Sequence, residues 1–384
     1  MLGLVLEGGG AKGAFHAGAV KALIERNYHF DGVSGTSIGA LNGAMIAQGS
    51  FNECYLLWEQ VRPSTLLDVD DEKFDMLFDD SFEKEDISYA FSLAKKAFAN
   101  KGLSMVKVQE IVDKYINEET LRASITDYAL VTVNISEKWK PLEVFKEDIP
   151  VGMLKKYILA SAYYPAFNRP KIDGKSFIDG GMYDNCPINP LVRKGYDNII
   201  VISTMSKMPK QEVIDKSIKI KYIRPSVKLG NTLDMRNEKI KFNLKLGYYD
   251  AFRLTDGLLG CKYYFKPFDE SYMINFLESL KIDLFSKLSK IFSITGNKNT
   301  IINYLINEGK KSLYLQKTDD LPNSFASIVE EVAEENTVEK FEIYDIFDFI
   351  KHMRIKADPK RKNNNCAKVI SAMEVLINAL NEKN

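Results

Sequence analysis

Residues 35–39 read Gly35-Thr36-Ser37-Ile38-Gly39, a G-x-S-x-G pentapeptide that leads into the small residues Ala40-Leu41-Asn42-Gly43-Ala44. A serine in that setting is suited to nucleophilic attack. The pattern places it on a sharp turn between a strand and a helix. The flanking glycines leave room for the turn and for an approaching substrate. At a helix N-terminus, free N–H groups and the helix dipole favour developing negative charge. The same residues also suit a plain loop whose serine only caps the helix. The pentapeptide alone does not separate the two.

The residues upstream bear on that choice. The chain opens with Leu2-Gly3-Leu4-Val5-Leu6-Glu7, an apolar run that predicts a buried strand. It runs into Gly8-Gly9-Gly10-Ala11-Lys12-Gly13, and a helix is predicted from Ala14 to Leu23. Strand, glycine-rich turn and helix together make a cradle of backbone N–H groups for an anion. Three readings compete. A phosphate-binding P-loop needs a Gly-Lys-Ser/Thr ending, and here Ala14-Phe15 follow Gly13. A dinucleotide fingerprint is satisfied by Gly8, Gly10 and Gly13, with Asp31 near the distance of a ribose-binding acid. The third reading is an oxyanion hole, whose donors stabilise a tetrahedral intermediate by about 3 kcal/mol each.

A third motif lies much further on. Asp173-Gly174 between short apolar runs is a hairpin signal, and the second arm ends in Asp179-Gly180-Gly181. An aspartate followed by two glycines at a strand end is open to an adjoining site. Taken alone it reads as an ordinary turn.

In this order and at this spacing, the three motifs resemble those of the patatin-like phospholipase family, in a bacterial-type form with a C-terminal helical extension. The resemblance implies an oxyanion loop at Gly8, Gly9, Gly10, Ala11, Lys12 and Gly13. It implies a nucleophile elbow at Gly35, Thr36, Ser37, Ile38 and Gly39, and an Asp-Gly-Gly motif at Asp179, Gly180 and Gly181. Lys12 stands where the family more often has arginine, which keeps the charge and loses the bidentate fork. Weaker echoes are Ala160-Ser161-Ala162-Tyr163-Tyr164-Pro165 before the hairpin and Asn185-Cys186-Pro187 after it. The resemblance covers roughly residues 1–255.

A serine nucleophile needs a base. The chain has three histidines, His16, His29 and His352, and none follows the elbow where an α/β-hydrolase would place its base. Packed or surface roles suit all three better. The scarcity of histidine favours a Ser37–Asp179 dyad, and the resemblance implies the same pair. No metal or cofactor is expected. The densest acidic run, Asp68-Val69-Asp70-Asp71-Glu72, lacks calcium-loop spacing and reads as a solvated loop.

Composition sets outer bounds. With 52 basic and 52 acidic residues the formal net charge is zero, so no global field draws the chain to nucleic acid or anionic lipid. The cysteines Cys54, Cys186, Cys261 and Cys366 have no paired spacing, which fits a reducing compartment. No signal peptide or membrane span is evident. A cytoplasmic location follows as the expectation, with transient contact at a membrane surface left open. The expected partner is a phospholipid or another acyl-ester lipid, and no protein partner is indicated.

Strands alternating with helices predict an α/β fold, three-layered around a mostly parallel sheet, in a catalytic domain over 1–255. Residues 127–134 and 198–203 read as strands. Residues 51–125 form a mostly helical insert, a candidate lid or a layer covering the sheet, with Ile87, Phe91, Ala94 and Phe98 at helical spacing. Residues 256–384 are predicted as a mainly helical extension of unassigned role. There Met273, Leu277, Leu280, Leu284, Leu288 and Ile291 form one helical stripe, with Lys281, Lys287 and Lys290 between them. Packing is favoured for this stripe over a membrane surface.

The leading function is a lipid acyl hydrolase of phospholipase A or lysophospholipase type. The alternatives are a nucleotide-binding enzyme that uses Gly8–Gly13 as a dinucleotide loop, and an inactive lipid-binding scaffold. An acyltransferase variant remains open.

Overall fold

A computed structural model describes residues 1–77, 102–279, 283–312, 321–334, 338–355 and 364–381. The stripe Ile87, Phe91, Ala94 and Phe98 lies outside the described residues. The chain divides into two compact units, Met1–Leu254 and Thr255–Asn384.

The first unit is built on a seven-stranded sheet. Its strands are β1 (Leu2–Leu6), β2 (Gly32–Thr36), β3 (Asp127–Asn134), β4 (Lys140–Phe145), β5 (Phe177–Asp179), β6 (Asn198–Ile202) and β7 (Lys219–Ile223). The order is β4-β3-β2-β1-β6-β7, with β5 also on β3. Pairings among β3, β2, β1, β6 and β7 are parallel, while β4 and β5 join β3 antiparallel. The inner strands are buried along almost their whole length. That burial explains why they read as continuous apolar runs rather than alternating ones. Val5, Leu191, Tyr196, Ile199 and Val201 pack together as one part of this core.

The edge strands β4 and β7 escaped the sequence reading. Lys140-Pro141 and Lys219-Ile220-Lys221 are polar and partly exposed, as edge strands require. The hairpin turn is where Asp173-Gly174 place it. Ile172 and Lys175 bridge antiparallel, with φ of 48° at Asp173 and 75° at Gly174.

Pairing on β3 brings the ends of two other strands together. β4 occupies one edge of β3 from Ala129 to Asn134. β5 pairs with Thr132–Asn134 and must use the other edge, which β2 follows only as far as Val131. The C-terminal ends of β2 and β5 therefore abut.

Helix α1 (Gly13–Glu25) follows β1, and α2 (Ile38–Ala47) follows β2. Both are rich in alanine and glycine and mostly buried. The small side chains allow close packing: a Cβ at Gly18 of α1 would overlap the carbonyl of Leu244 in helix Asn237–Thr255. Described helices of the 51–125 region are Phe51–Gln60, Pro63–Leu66, Asp71–Met76, Val106–Tyr115 and Glu118–Ala123.

The second unit packs helices around its own core, in which Phe265, Met273, Leu284, Leu288, Phe325, Phe347 and Met373 are buried. The stripe from Met273 to Ile291 is not one helix. Glu270–Glu278 and Asp283–Phe292 are separate, and Ser279 closes the first by donating its hydroxyl to the Phe276 carbonyl at 2.6 Å. Met273, Leu284 and Leu288 face the core of their own unit. A small parallel pairing of Tyr264–Phe265 with Ile343–Tyr344 adds a short strand pair to this mainly helical region. Among the described residues no helix is long and apolar enough to cross a membrane.

Candidate active site

Strand β2 delivers Ser37 onto a strained turn. Ser37 has φ 58° and ψ −123° and caps the N-terminus of α2. A positive φ at a non-glycine residue costs about 1–3 kcal/mol and must be held by its surroundings. Part of the holding is steric: a Cβ at Gly35 would overlap the Gly39 carbonyl, and one at Gly39 the carbonyl of Leu6 in β1. The rest is a hydrogen-bond relay. The Ser37 N–H donates to Ser161 Oγ at 2.9 Å, and the Ser161 hydroxyl donates to the Val131 carbonyl of β3 at 2.6 Å.

Asp179 ends β5 opposite Thr132, one residue beyond the Val131 that pairs with Thr36. The strand register thus sets the carboxylate beside the elbow. It is 3% exposed and accepts the Gly181 N–H at 2.8 Å. Burial pushes its pKa up to about 6, against the lowering influence of the Gly181 N–H and of the nearby Ser37 side chain.

The N–H groups of the glycine loop divide into two sets. Gly8 donates to the Asn185 carbonyl at 2.9 Å, Ala11 to Thr232 at 2.8 Å and Lys12 to Gly9 at 3.2 Å. Gly13 donates to the Ala11 and Gly10 carbonyls. No acceptor among the described residues meets the N–H of Gly9 or Gly10. Gly10 has φ 56°, and a Cβ there would overlap the Thr232 carbonyl. Gly9, Gly10, Ser37 and Asp179 line one cavity of about 480 Å³, with apolar walls that include Leu41, Met45, Trp58, Met105, Phe167 and Met235.

Residues 4–192 match the family model described as patatin-like phospholipase. This region of the chain is a patatin-like phospholipase domain. Neuropathy target esterase sws of Drosophila melanogaster is 29% identical over 219 residues, 54% of this chain and 13% of that protein. Lysophospholipase NTE1 of Mycosarcoma maydis is 29% identical over 207 residues, 53% of this chain and 10% of that protein. The chain thus spans about a tenth of the length of these curated relatives. Among solved structures, VipD from Legionella pneumophila aligns with a TM-score of 0.42 at 15% identity, covering 98% of this chain and 90% of that one.

Among the described residues that line the cavity of the patatin-like domain there is no histidine. His16 is fully buried in α1, with Nδ1 3.4 Å from Asn42 Nδ2. Burial holds its pKa down at about 3, so the ring is neutral. His29 is exposed ahead of β2, and His352 is exposed in the second unit. Asp31 lies at the N-terminal end of β2, whereas the glycine loop follows the C-terminal end of β1, a strand length of about 16 Å away. Its carboxylate takes the Leu2 N–H at 2.7 Å. A ribose held at the glycine loop would not meet it.

Three positioning residues were not singled out as site residues by the sequence. Ser161 is one; the sequence offered it only as part of the run Ala160-Ser161-Ala162 ahead of the hairpin, with no role attached. Glu7 is the second. It is fully buried, and its carboxylate accepts the N–H of Thr204 at 2.7 Å and of Ser206 at 3.1 Å, with Lys210 Nζ at 2.8 Å. A charged residue ending a buried strand was the clue to it. Asn185 is the third, donating from Nδ2 to the Gly8 carbonyl at 3.2 Å while its own carbonyl holds the Gly8 N–H.

Proposed function

We propose that the protein is a lipid acyl hydrolase of phospholipase A or lysophospholipase type, working through a Ser37–Asp179 dyad. One observation carries the reading: a strained serine and a buried aspartate line the same apolar cavity. The names of the relatives, an esterase and a lysophospholipase, agree with it.

Ser37 Oγ attacks the ester carbonyl carbon, and Asp179 takes the hydroxyl proton. An aspartate raised to about 6 is a stronger base than one near 4, and is still ionised at neutral pH. The N–H groups of Gly9 and Gly10, with the N-terminus of α2, receive the oxyanion. Collapse of the intermediate breaks the ester C–O bond, and Asp179 returns its proton to the leaving alcohol. Water then attacks the acyl-enzyme, giving a proton to Asp179; the intermediate breaks its bond to Ser37 Oγ, releasing the fatty acid, and Asp179 returns the proton to Oγ. The apolar cavity walls suit an acyl chain.

Mass spectrometry of mixed phospholipid vesicles incubated with wild type or Ser37→Ala tests the proposal. Fatty acid release by wild type alone supports it. Equal release by both proteins overturns the assignment of Ser37, and release by neither favours a binding scaffold.

A further inference from the structure

A second cavity, of about 910 Å³, adjoins the catalytic one and shares Lys12, Met205 and Lys207 with it. Among the described residues five cations line it, Lys12, Lys207, Lys228, Arg236 and Lys239, against one carboxylate, Asp234. That carboxylate is already committed, since Arg236 donates to its two oxygens from Nε and Nη2 at 2.9 Å each. Among the described residues Lys12, Lys207 and Lys228 form no ion pair. Burial lowers the pKa of Lys12 against the raising effect of Glu7, and burial also lowers that of Lys239 against Asp234. Lys239 Nζ is 3.3 Å from the Lys228 carbonyl, and the loop at Gly230, φ 90°, packs against its stem. Ammonium groups drawn out of water without anionic partners are stabilised by a ligand that brings negative charge.

We propose that this cleft receives the head group of the lipid whose ester reaches Ser37, and that it selects heads of net negative charge over zwitterionic phosphocholine. The inference rests on the hydrolase reading above. In a glycerophospholipid the phosphate lies a few bonds from the ester carbonyl, and Lys12 lines both cavities. A phosphate therefore meets the lysines of the shared wall. A choline head would bring its trimethylammonium among those lysines. Among the described residues that line the cleft there is no aromatic ring and no uncommitted carboxylate to receive it.

The test uses the full chain and monomeric lysolipids of one acyl length, so that vesicle charge plays no part. Initial rates are compared for lysophosphatidylglycerol, lysophosphatidylcholine and p-nitrophenyl butyrate, which has no head group. The expected kcat/KM ratio of the glycerol to the choline lipid is about tenfold. It should fall toward one in Lys228→Glu and in Lys228→Glu/Lys239→Glu, and persist in Lys228→Arg. A wild-type ratio near one, with p-nitrophenyl butyrate cleaved, overturns the head-group site alone, as does a ratio unmoved by both charge reversals. If none of the three esters is cleaved, the hydrolase reading fails and the head-group site falls with it. Calorimetric titration of Ser37→Ala with sn-glycerol 3-phosphate separates the anion sources. Binding there, alongside a lipid ratio near one, would make the cleft a site for soluble phosphate esters and overturn the lipid assignment.

Discussion

Asp179 carries a cost that its proposed work explains. A carboxyl with a native pKa of about 6 and an ordinary unfolded value binds protons more tightly when folded. The native state is therefore penalised as pH rises through that window. The penalty is absent below the unfolded value and complete above about 6, where it approaches 2–3 kcal/mol. Asp179→Asn should abolish acyl release yet melt higher than wild type at neutral pH, with the two melting curves converging in acid. A variant that melts lower at pH 7 would count against the burial argument. The same ionisation sets the rate, so kcat/KM should fall on the acid side with an apparent pKa near 6. A flat profile down to pH 5 would exclude Asp179 as the base.

Between elements, the site depends on strand ends that meet on β3. β2 brings the serine, β5 the aspartate, and Ser161 ties the elbow to β3, the strand with which both pair. Ser161→Ala removes an acceptor from the Ser37 N–H and a donor from the Val131 carbonyl. Leaving such groups unpaired costs about 1–3 kcal/mol, and the cost should fall mainly on kcat, since Ser161 does not line the cavity. A drop of about 10- to 100-fold in kcat with KM little changed is expected, read from steady-state kinetics on a soluble ester. Ser161→Thr keeps the hydroxyl and should recover much of the loss. If KM rises while kcat holds, Ser161 shapes substrate binding instead. The glycine loop is also tied to other elements. The amides of Gly8 and Ala11 are spent on Asn185 and Thr232, while those of Gly9 and Gly10, the oxyanion donors of the proposed mechanism, meet no acceptor among the described residues.

At the scale of the whole molecule, each unit has its own means of burying polar groups. In the second unit Glu330 is buried, and its carboxylate accepts the consecutive N–H groups of Cys261, Lys262 and Tyr263 at 2.7–2.9 Å. Glu330→Ala strips those donors of their acceptor and should destabilise its unit by about 2–4 kcal/mol, seen as a lowered calorimetric transition. An unchanged thermogram would mean that water replaces the carboxylate at no cost. The sequence by itself carried the α/β class, because buried parallel strands must be continuous apolar runs and the helices between them keep a small-residue face. It also nominated Ser37, Asp179 and the glycine loop as candidates, from the order of the motifs, the scarcity of histidine and the family resemblance, and the structure gathers them at one cavity. It missed β4 and β7, whose edge positions make them polar, and it joined two helices of the second unit into one stripe. It gave no account of Glu7, of Ser161, or of the lysine-lined cleft that gathers Lys12, Lys207, Lys228 and Lys239. Those groups are brought together by strand register and loop path, which join residues more than a hundred positions apart in the chain. Local patterns fix which residue types fit a turn or a strand, while only the tertiary structure decides which of them meet.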